Sequence, residues 1–360
     1  MAEQVVPPRQ EPCSWVSSWL PSWRPTSPTQ LKEAEEKMLK IVKKPFSRQH
    51  VRISNCNFLW TLAFSPQSSS SAPPSRPRVP LVLLHGIGGG VGLWAQNLDA
   101  LSSWGSVYAL DLLGFGRSSR PRFCADPVLA EELFLDALDE WRERVGIEGM
   151  LLLGHNFGGY LAAAYALKYP QRVKHLLLVE PWGFAARPEN PNSRSFPMWI
   201  RAMGAFMSPF NPLAALRLAG PLGPMLVQTI RSDFKQKYSS VFDDDTVSEY
   251  IYHLNAQDPS GETAFKNMTV PYGWAQRPML QRIGRVQADI PISFIYGSRS
   301  SIDSDSGHAV KTSRPDVEIK VIRGAGHYVF ADQPDDFNQT VLQIVSRAER
   351  SGQSEPTPLE

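Results

Sequence analysis

Residues 150–169 read MLLLGHNFGGYLAAAYALKY. No other stretch constrains the fold as tightly. Met150–Leu153 is an unbroken apolar run, the signature of a strand buried on both faces of a covered sheet. Tyr160–Tyr169 is dense in strong helix formers. Gly154 and Gly158 flank the join, where a sharp turn needs backbones to approach without a Cβ between them. The spacing is that of a nucleophile elbow, G-x-S-x-G, in which a strand turns abruptly into a helix and exposes a serine hydroxyl. Here the middle position holds Asn156.

The same rhythm recurs along the chain. Val79–Leu84, Val107–Leu110, Leu176–Val179, Ile292–Tyr296 and Val317–Ile322 are short and nearly continuous apolar runs, separated by helical segments. This alternation predicts an α/β fold with a mostly parallel, twisted sheet covered by helices. Between 183 and 275 the rhythm breaks into prolines, tryptophans and helical pieces, which reads as a helical cap inserted into the core. The expected organisation is a Trp-rich arm (1–27), an N-terminal helix (28–50), a first core segment (51–182), the cap (183–275), a second core segment (276–348) and a disordered tail (349–360). Ser27, Pro28 and Gln30 form a capping-box arrangement, and LKEAEEKMLKIV continues the helix until Pro45 stops it. Val51–Phe64 alternates with period two and predicts two short strands. Residues 65–80 are a low-complexity surface loop.

Composition narrows the function. The 360 residues carry a formal charge of +2, which argues against a broad nucleic-acid footprint. Cys13, Cys56 and Cys124 are odd in number and widely spaced, as in a reduced, intracellular protein without a disulfide framework. No C-x-x-C or H-E-x-x-H pattern suggests a metal, and no cofactor motif stands out. The first thirty residues lack a continuous apolar core for a signal peptide, and no run approaches a membrane span. Membrane contact is therefore expected to be peripheral.

Two further pieces accompany the elbow. His85-Gly86-Ile87-Gly88-Gly89-Gly90 follows a strand, where backbone N–H groups of Gly86 and Ile87, with that of Phe157 after the elbow, would form an oxyanion hole. Gly326-His327 follows the last strand, where a triad histidine belongs. The order nucleophile, acid, histidine points to Asp303, just past the strand ending at Tyr296, with Asp305 in reserve. Asn156, Asp303 and His327 are thus vestigial triad positions. An amide nitrogen, delocalised into its carbonyl, cannot replace an activated hydroxyl. Losing the nucleophile costs roughly 10⁶ in turnover in subtilisin. Asn does tolerate positive φ better than most residues, and its amide is placed to hydrogen-bond His327. The turn is read as retained architecture with its chemistry given up.

Longer strings carry a more specific resemblance. WLPSWRPTS, QLKEAEEKMLK, LDLLGFGRSSRPRF, VEPWGF, FDDDTVSEYIYH, PSGETAFKNM and GAGHYVFADQP resemble the α/β-hydrolase domain-containing proteins 4 and 5 along most of the chain. One branch of that family carries serine at the elbow and acts as a lipase; the other carries asparagine, as here. The resemblance implies an α/β-hydrolase fold and a catalytically silent coactivator of adipose triglyceride lipase, a patatin-type enzyme, on cytoplasmic lipid droplets. It implies perilipin-type coat proteins and the droplet phospholipid surface as partners, and Arg299 and Gly326 as lipase-activating positions. It also implies an alternative activity, transfer of acyl groups from long-chain acyl-CoA to lysophosphatidic acid, through His327 and Asp332 as H-x-x-x-x-D. Asp332 is equally explained as an N-cap for a helix starting near Pro334. In Lys235-Gln236-Lys237-Tyr238-Ser239, the basic residues ahead of Ser239 suit a basophilic kinase, as in the family, and an exposed helix end fits as well.

The N-terminal arm offers a lipid anchor. Trp15, Trp19 and Trp23 recur every four residues with Leu20 beside them, on one face if helical, although Pro21 also fits a turn-rich insertion segment. Indoles favour the water–lipid boundary. At ~25 cal/mol per Å², one buried Trp contributes up to about 4–6 kcal/mol, so three can hold the chain on a droplet against the cost of ordering the arm.

Overall fold

The computed structural model describes residues 26–66, 78–187, 213–271, 273–300 and 304–353. In chain order the strands are β1 (Ser47–Arg52), β2 (Phe58–Phe64), β3 (Leu81–Leu84), β4 (Val107–Leu110), β5 (Met150–His155), β6 (Val173–Val179), β7 (Thr269–Val270), β8 (Trp274–Ala275), β9 (Ile292–Gly297) and β10 (Glu318–Ile322). The helices are α1 (Pro28–Leu39), α2 (Ala95–Leu101), α3 (Pro127–Arg144), α4 (Phe157–Lys168), α5 (Ala214–Ala219), α6 (Gly223–Ile230), α7 (Ser232–Lys237), α8 (Thr246–Asn255), α9 (Ser260–Asn267), α10 (Asp305–Ser313), α11 (Val329–Asp332) and α12 (Pro334–Gln353).

Eight strands form one sheet in the order β1-β2-β4-β3-β5-β6-β9-β10. β2 runs antiparallel to β1 and β4, and the remaining pairs are parallel. The expected α/β sheet is therefore present. β3, β5, β6 and β9 are central and almost entirely buried, because helices cover both faces. On one face Phe134, Leu138 and Trp141 of α3 and Leu161 and Tyr165 of α4 pack against the sheet. On the other, Leu31 and Met38 of α1, Leu98 of α2 and Val341 of α12 do so. Between β6 and β9 the chain leaves the sheet, and its described part runs through α5–α9 and the small β7–β8 hairpin.

Several boundaries differ from the sequence reading for identifiable reasons. Ser27 caps α1 as expected, accepting from the Gln30 amide at 3.2 Å. The helix nevertheless ends at Leu39, ahead of Pro45, because the amides of Lys43 and Lys44 turn onto the Asp99 carboxylate at 2.9 Å. β1 starts at Ser47, ahead of Val51, because β2 offers it a full antiparallel ladder from Ser47↔Ala63 to Arg52↔Phe58. Asn55 and Cys56, both at positive φ, make the intervening turn. β10 reads as a buried apolar run, but it is an edge strand and Val321 is 56% exposed. α12 continues to Gln353, so the first residues of the expected disordered tail are helical, and Glu349 pairs with Arg78 at 3.5 Å.

Candidate active site

The elbow forms where its glycines require it. Asn156 has φ 52° and ψ −114°, a conformation that L residues rarely adopt. Surrounding hydrogen bonds hold it there. Its amide donates to Val179 at 3.0 Å, and its carbonyl accepts from Gly159, Tyr160 and Trp182 at 3.0, 3.2 and 3.1 Å. A Cβ on Gly154 would run into the backbone of Gly158 and Gly159. A Cβ on Gly158 would lie 2.5 Å from the His85 carbonyl oxygen and 2.6 Å from that of Leu84. These glycines are the reason β5, α4 and the His85–Gly90 loop can meet.

The side chain of Asn156 does not behave as the sequence reading expects. Its Oδ1 accepts from the Ile87 amide at 3.4 Å, and no hydrogen bond joins it to His327 among the described residues. The carbonyl end of the carboxamide thus faces one of the donors expected to form the oxyanion hole, because the elbow's positive φ directs the side chain at the His85–Gly90 loop. Gly86 lies equally close: a Cβ there would be 2.8 Å from Asn156 Cβ. Phe157, the third expected contributor, opens α4 directly after Asn156 and its ring is buried against Phe134 and Phe265.

Buried histidines frame this centre. The Leu112 amide donates to His85 Nε2 at 3.0 Å, which places the proton on Nδ1, and that N–H donates to Gly86 O at 2.8 Å. Burial lowers the pKa of His85, opposed by the nearby Asp111 charge. His155, one residue before the elbow, is buried and donates from Nε2 to the His327 carbonyl at 3.0 Å. Its pKa falls well below the usual imidazole range through burial and then through the neighbouring His327. The elbow strand is thereby tied to the loop after β10, with the two imidazoles 4.8 Å apart.

The acid position is resolved differently. Asp303 lies outside the described residues, and Asp305 opens α10. The described carboxylate nearest His327 is Glu180, directly after β6. Its Oε2 is 3.5 Å from His327 Nδ1, and it is fully buried. Residue order favours Asp303, yet VEPWGF also places an acid at a strand's C-terminal end, where α/β folds gather function.

Asp332 does not cap the helix that starts at Pro334. It ends α11, and its carboxylate accepts from the Gly326 amide at 2.8 Å and pairs with Lys237 at 2.8 Å. Those partners draw it away from the α12 N-terminus, and no contact with the His327 imidazole accompanies them. Arg299 and Gly326 lie on adjoining loops and touch through their neighbours. The Arg299 amide donates to Ala325 O at 2.8 Å, its guanidinium reaches Gly324 O, and Gly324 N donates to Ser298 Oγ at 2.9 Å. Gly326 packs its carbonyl against Gly297 too closely for any Cβ at 297. The Arg299 side chain is exposed. Ser239 is exposed just beyond α7, with Oγ donating to Gln236 O at 2.8 Å. Trp15, Trp19, Leu20 and Trp23 lie outside the described residues. Among the described residues no cluster of His, Cys, Asp and Glu can hold a metal ion, and no helix is long and apolar enough to cross a membrane.

A covered parallel sheet, an elbow on its central strand and a histidine after the last strand define the α/β-hydrolase class. The chain belongs to the α/β-hydrolase fold family, whose model matches residues 79–334. It is 60% identical over 333 residues to the 1-acylglycerol-3-phosphate O-acyltransferase ABHD5 of Rattus norvegicus, covering 92% of this chain and 93% of the relative. It is also 52% identical over 338 residues to the (lyso)-N-acylphosphatidylethanolamine lipase of Homo sapiens, covering 93% and 97%. The resemblance carried by strings such as VEPWGF therefore holds along nearly the whole chain. Among solved structures, the carboxylesterase CesB of Bacillus subtilis superposes with a TM-score of 0.62 at 18% identity, covering 88% of this chain and 97% of its own. That likeness speaks to the fold.

Proposed function

We propose that this protein is a catalytically silent α/β hydrolase that binds lipid droplets peripherally and activates a patatin-type triglyceride lipase of the adipose triglyceride lipase kind. The observation that carries the reading is Asn156. The elbow is built, yet its side chain supplies no attacking oxygen, and its carbonyl faces the Ile87 amide instead of leaving it for a substrate. Arg299 and Gly326, on adjoining loops that the Arg299 amide joins through Ala325 O, are the proposed activating positions. The tryptophan arm is the proposed anchor, and perilipin-type coat proteins the proposed competitors for the protein.

The test adds the purified full-length protein to such a lipase with emulsified triglyceride. Fatty-acid release should rise several-fold, and the protein alone should release none. Arg299→Ala should lose most of the stimulation while melting normally. Robust ester cleavage by the unmodified chain without a lipase would falsify the reading.

A second reading is acyl transfer from long-chain acyl-CoA to lysophosphatidic acid, suggested by the name of the ABHD5 relatives, 1-acylglycerol-3-phosphate O-acyltransferase. The H-x-x-x-x-D form of it meets an obstacle, since the Asp332 carboxylate is engaged by Gly326 and Lys237. Transfer of labelled acyl groups that survives Asp332→Asn would remove that motif from the mechanism, and transfer absent from the parent chain would remove the activity.

A further inference from the structure

Glu180 stands one residue beyond β6, at φ 47°, a positive value unusual for a glutamate. Its amide still follows the sheet and donates to Ile295 O at 3.0 Å. Its side chain crosses the end of β9. There Oε1 accepts from the Gly297 amide at 2.6 Å, and Oε2 accepts from Ser300 Oγ. The residue is fully buried. A buried carboxylate is costly unless it is paired and hydrogen-bonded. Among the described residues its one ion-pair partner is His327, Oε2 to Nδ1 at 3.5 Å. Nδ1 of His327 is itself buried and makes no hydrogen bond among the described residues, the Glu180 approach at 3.5 Å included. Such contacts are commonly long in an empty site and tighten when it is occupied. The backbone of His327 is anchored as well, because His155 Nε2 donates to its carbonyl at 3.0 Å.

We propose that Glu180 is the positioning residue for His327: the carboxylate that fixes its ring orientation and tautomer, the role that residue order assigns to Asp303. A carboxylate at Nδ1 keeps the proton there and leaves Nε2 to act as the base, which is the logic of every Ser-His-acid triad. The histidine and its orienting acid are then intact, and the attacking oxygen alone is missing. The proposal is independent of lipase activation.

The test uses the full-length chain carrying Asn156→Ser and a fluorophosphonate probe, with no lipase or lipid present. In labelling, the introduced serine Oγ attacks phosphorus, an O–P bond forms, the P–F bond breaks and fluoride leaves. The hydroxyl proton passes to His327 Nε2. The Asn156→Ser chain should be labelled. Adding Glu180→Gln should slow labelling by roughly 10³–10⁴-fold, the scale of losing the orienting acid in a triad. Glu180→Asp, which keeps the charge, should recover at least about tenfold of that loss, as a purely structural role would not require. Asp303→Asn in the same background should slow labelling less than Glu180→Gln. Circular dichroism melts verify folding; should the Gln variant unfold, Glu180→Asp against Asp303→Asn decides. Absence of labelling in Asn156→Ser, an unchanged rate in a folded Glu180→Gln variant, or an equal or larger loss with Asp303→Asn overturns the assignment.

Discussion

At the scale of single residues, the elbow keeps its strained turn with asparagine at the position where α/β hydrolases carry a nucleophile. Asn156 keeps the strained turn because four backbone hydrogen bonds hold it, and these are indifferent to its side chain. The flanking glycines are closely confined by neighbouring backbone. Gly158→Ala would press a methyl group 2.5 Å from the His85 carbonyl and 2.6 Å from the Leu84 carbonyl. Both are backbone atoms of a central strand and its loop and cannot swing aside. The variant should lose about 1–3 kcal/mol or more, read as a lower midpoint in chemical denaturation; a midpoint equal to the parent's would show that α4 can shift. The elbow glycines, Asn156 and His327 were legible in the sequence by their spacing, whereas the partners of Asn156 and Asp332 were not. Glu180 was not legible. Its place at the C-terminal end of a strand is a weak signal shared with many loop acids, and its partner His327 lies far along the chain.

At the scale of elements, α1 is bound to the molecule by both packing and charge. Leu31, Ala34, Met38 and Leu39 are buried, and Glu35 reaches Arg117 at 2.8 Å and the Trp60 indole at 3.0 Å. Arg117 in turn lies 3.6 Å from the centre of a Trp60 ring. On its outer side Lys37 pairs with Glu249 of α8 at 2.6 Å. The two kinds of contact should contribute unequally. Met38→Ala should destabilise by about 2–5 kcal/mol through the lost side chain and the cavity left behind. A double-mutant cycle on the half-exposed Lys37 and Glu249 should return under about 1 kcal/mol, because water and salt screen the pair. A coupling several times larger would mean that the cap depends on this contact for its seat. Sequence periodicity anticipated α1 and its cap but not its end, since Asp99, which takes the amides of Lys43 and Lys44, arrives from α2.

At the scale of the whole molecule, buried ionisable groups set opposing dependences on pH. Burial holds His85, His155 and His175 below the ordinary imidazole value of 6.5, with His175 lowered to about 4. The unfolded chain takes up protons at these sites before the native one does, so they remove stability as pH falls below 6.5. Glu35 acts the other way. Burial, and then the Asp111 charge, push it up to about 8 against the pull of Arg117. The native state holds this proton more tightly, so Glu35 removes stability as pH rises from 4.5 towards 8. Thermal midpoints across this range should therefore pass through a maximum. Glu35→Gln should flatten the alkaline decline and steepen the acid one, whatever it does to absolute stability; an unchanged profile would show that Arg117 keeps Glu35 ionised. What the sequence determined by itself was local and periodic: short buried strands alternating with helices, a capped first helix, a glycine-flanked elbow with asparagine at its centre. These rest on contacts within a few residues or on a pattern repeated along the chain. Only the tertiary structure decided that β10 is an edge, that Asn156 turns to Ile87, that Asp332 serves Gly326 and Lys237, and that Glu180 faces His327. Each depends on groups distant in sequence, and a buried charge or hydrogen bond acquires its partner only when the sheet brings them together.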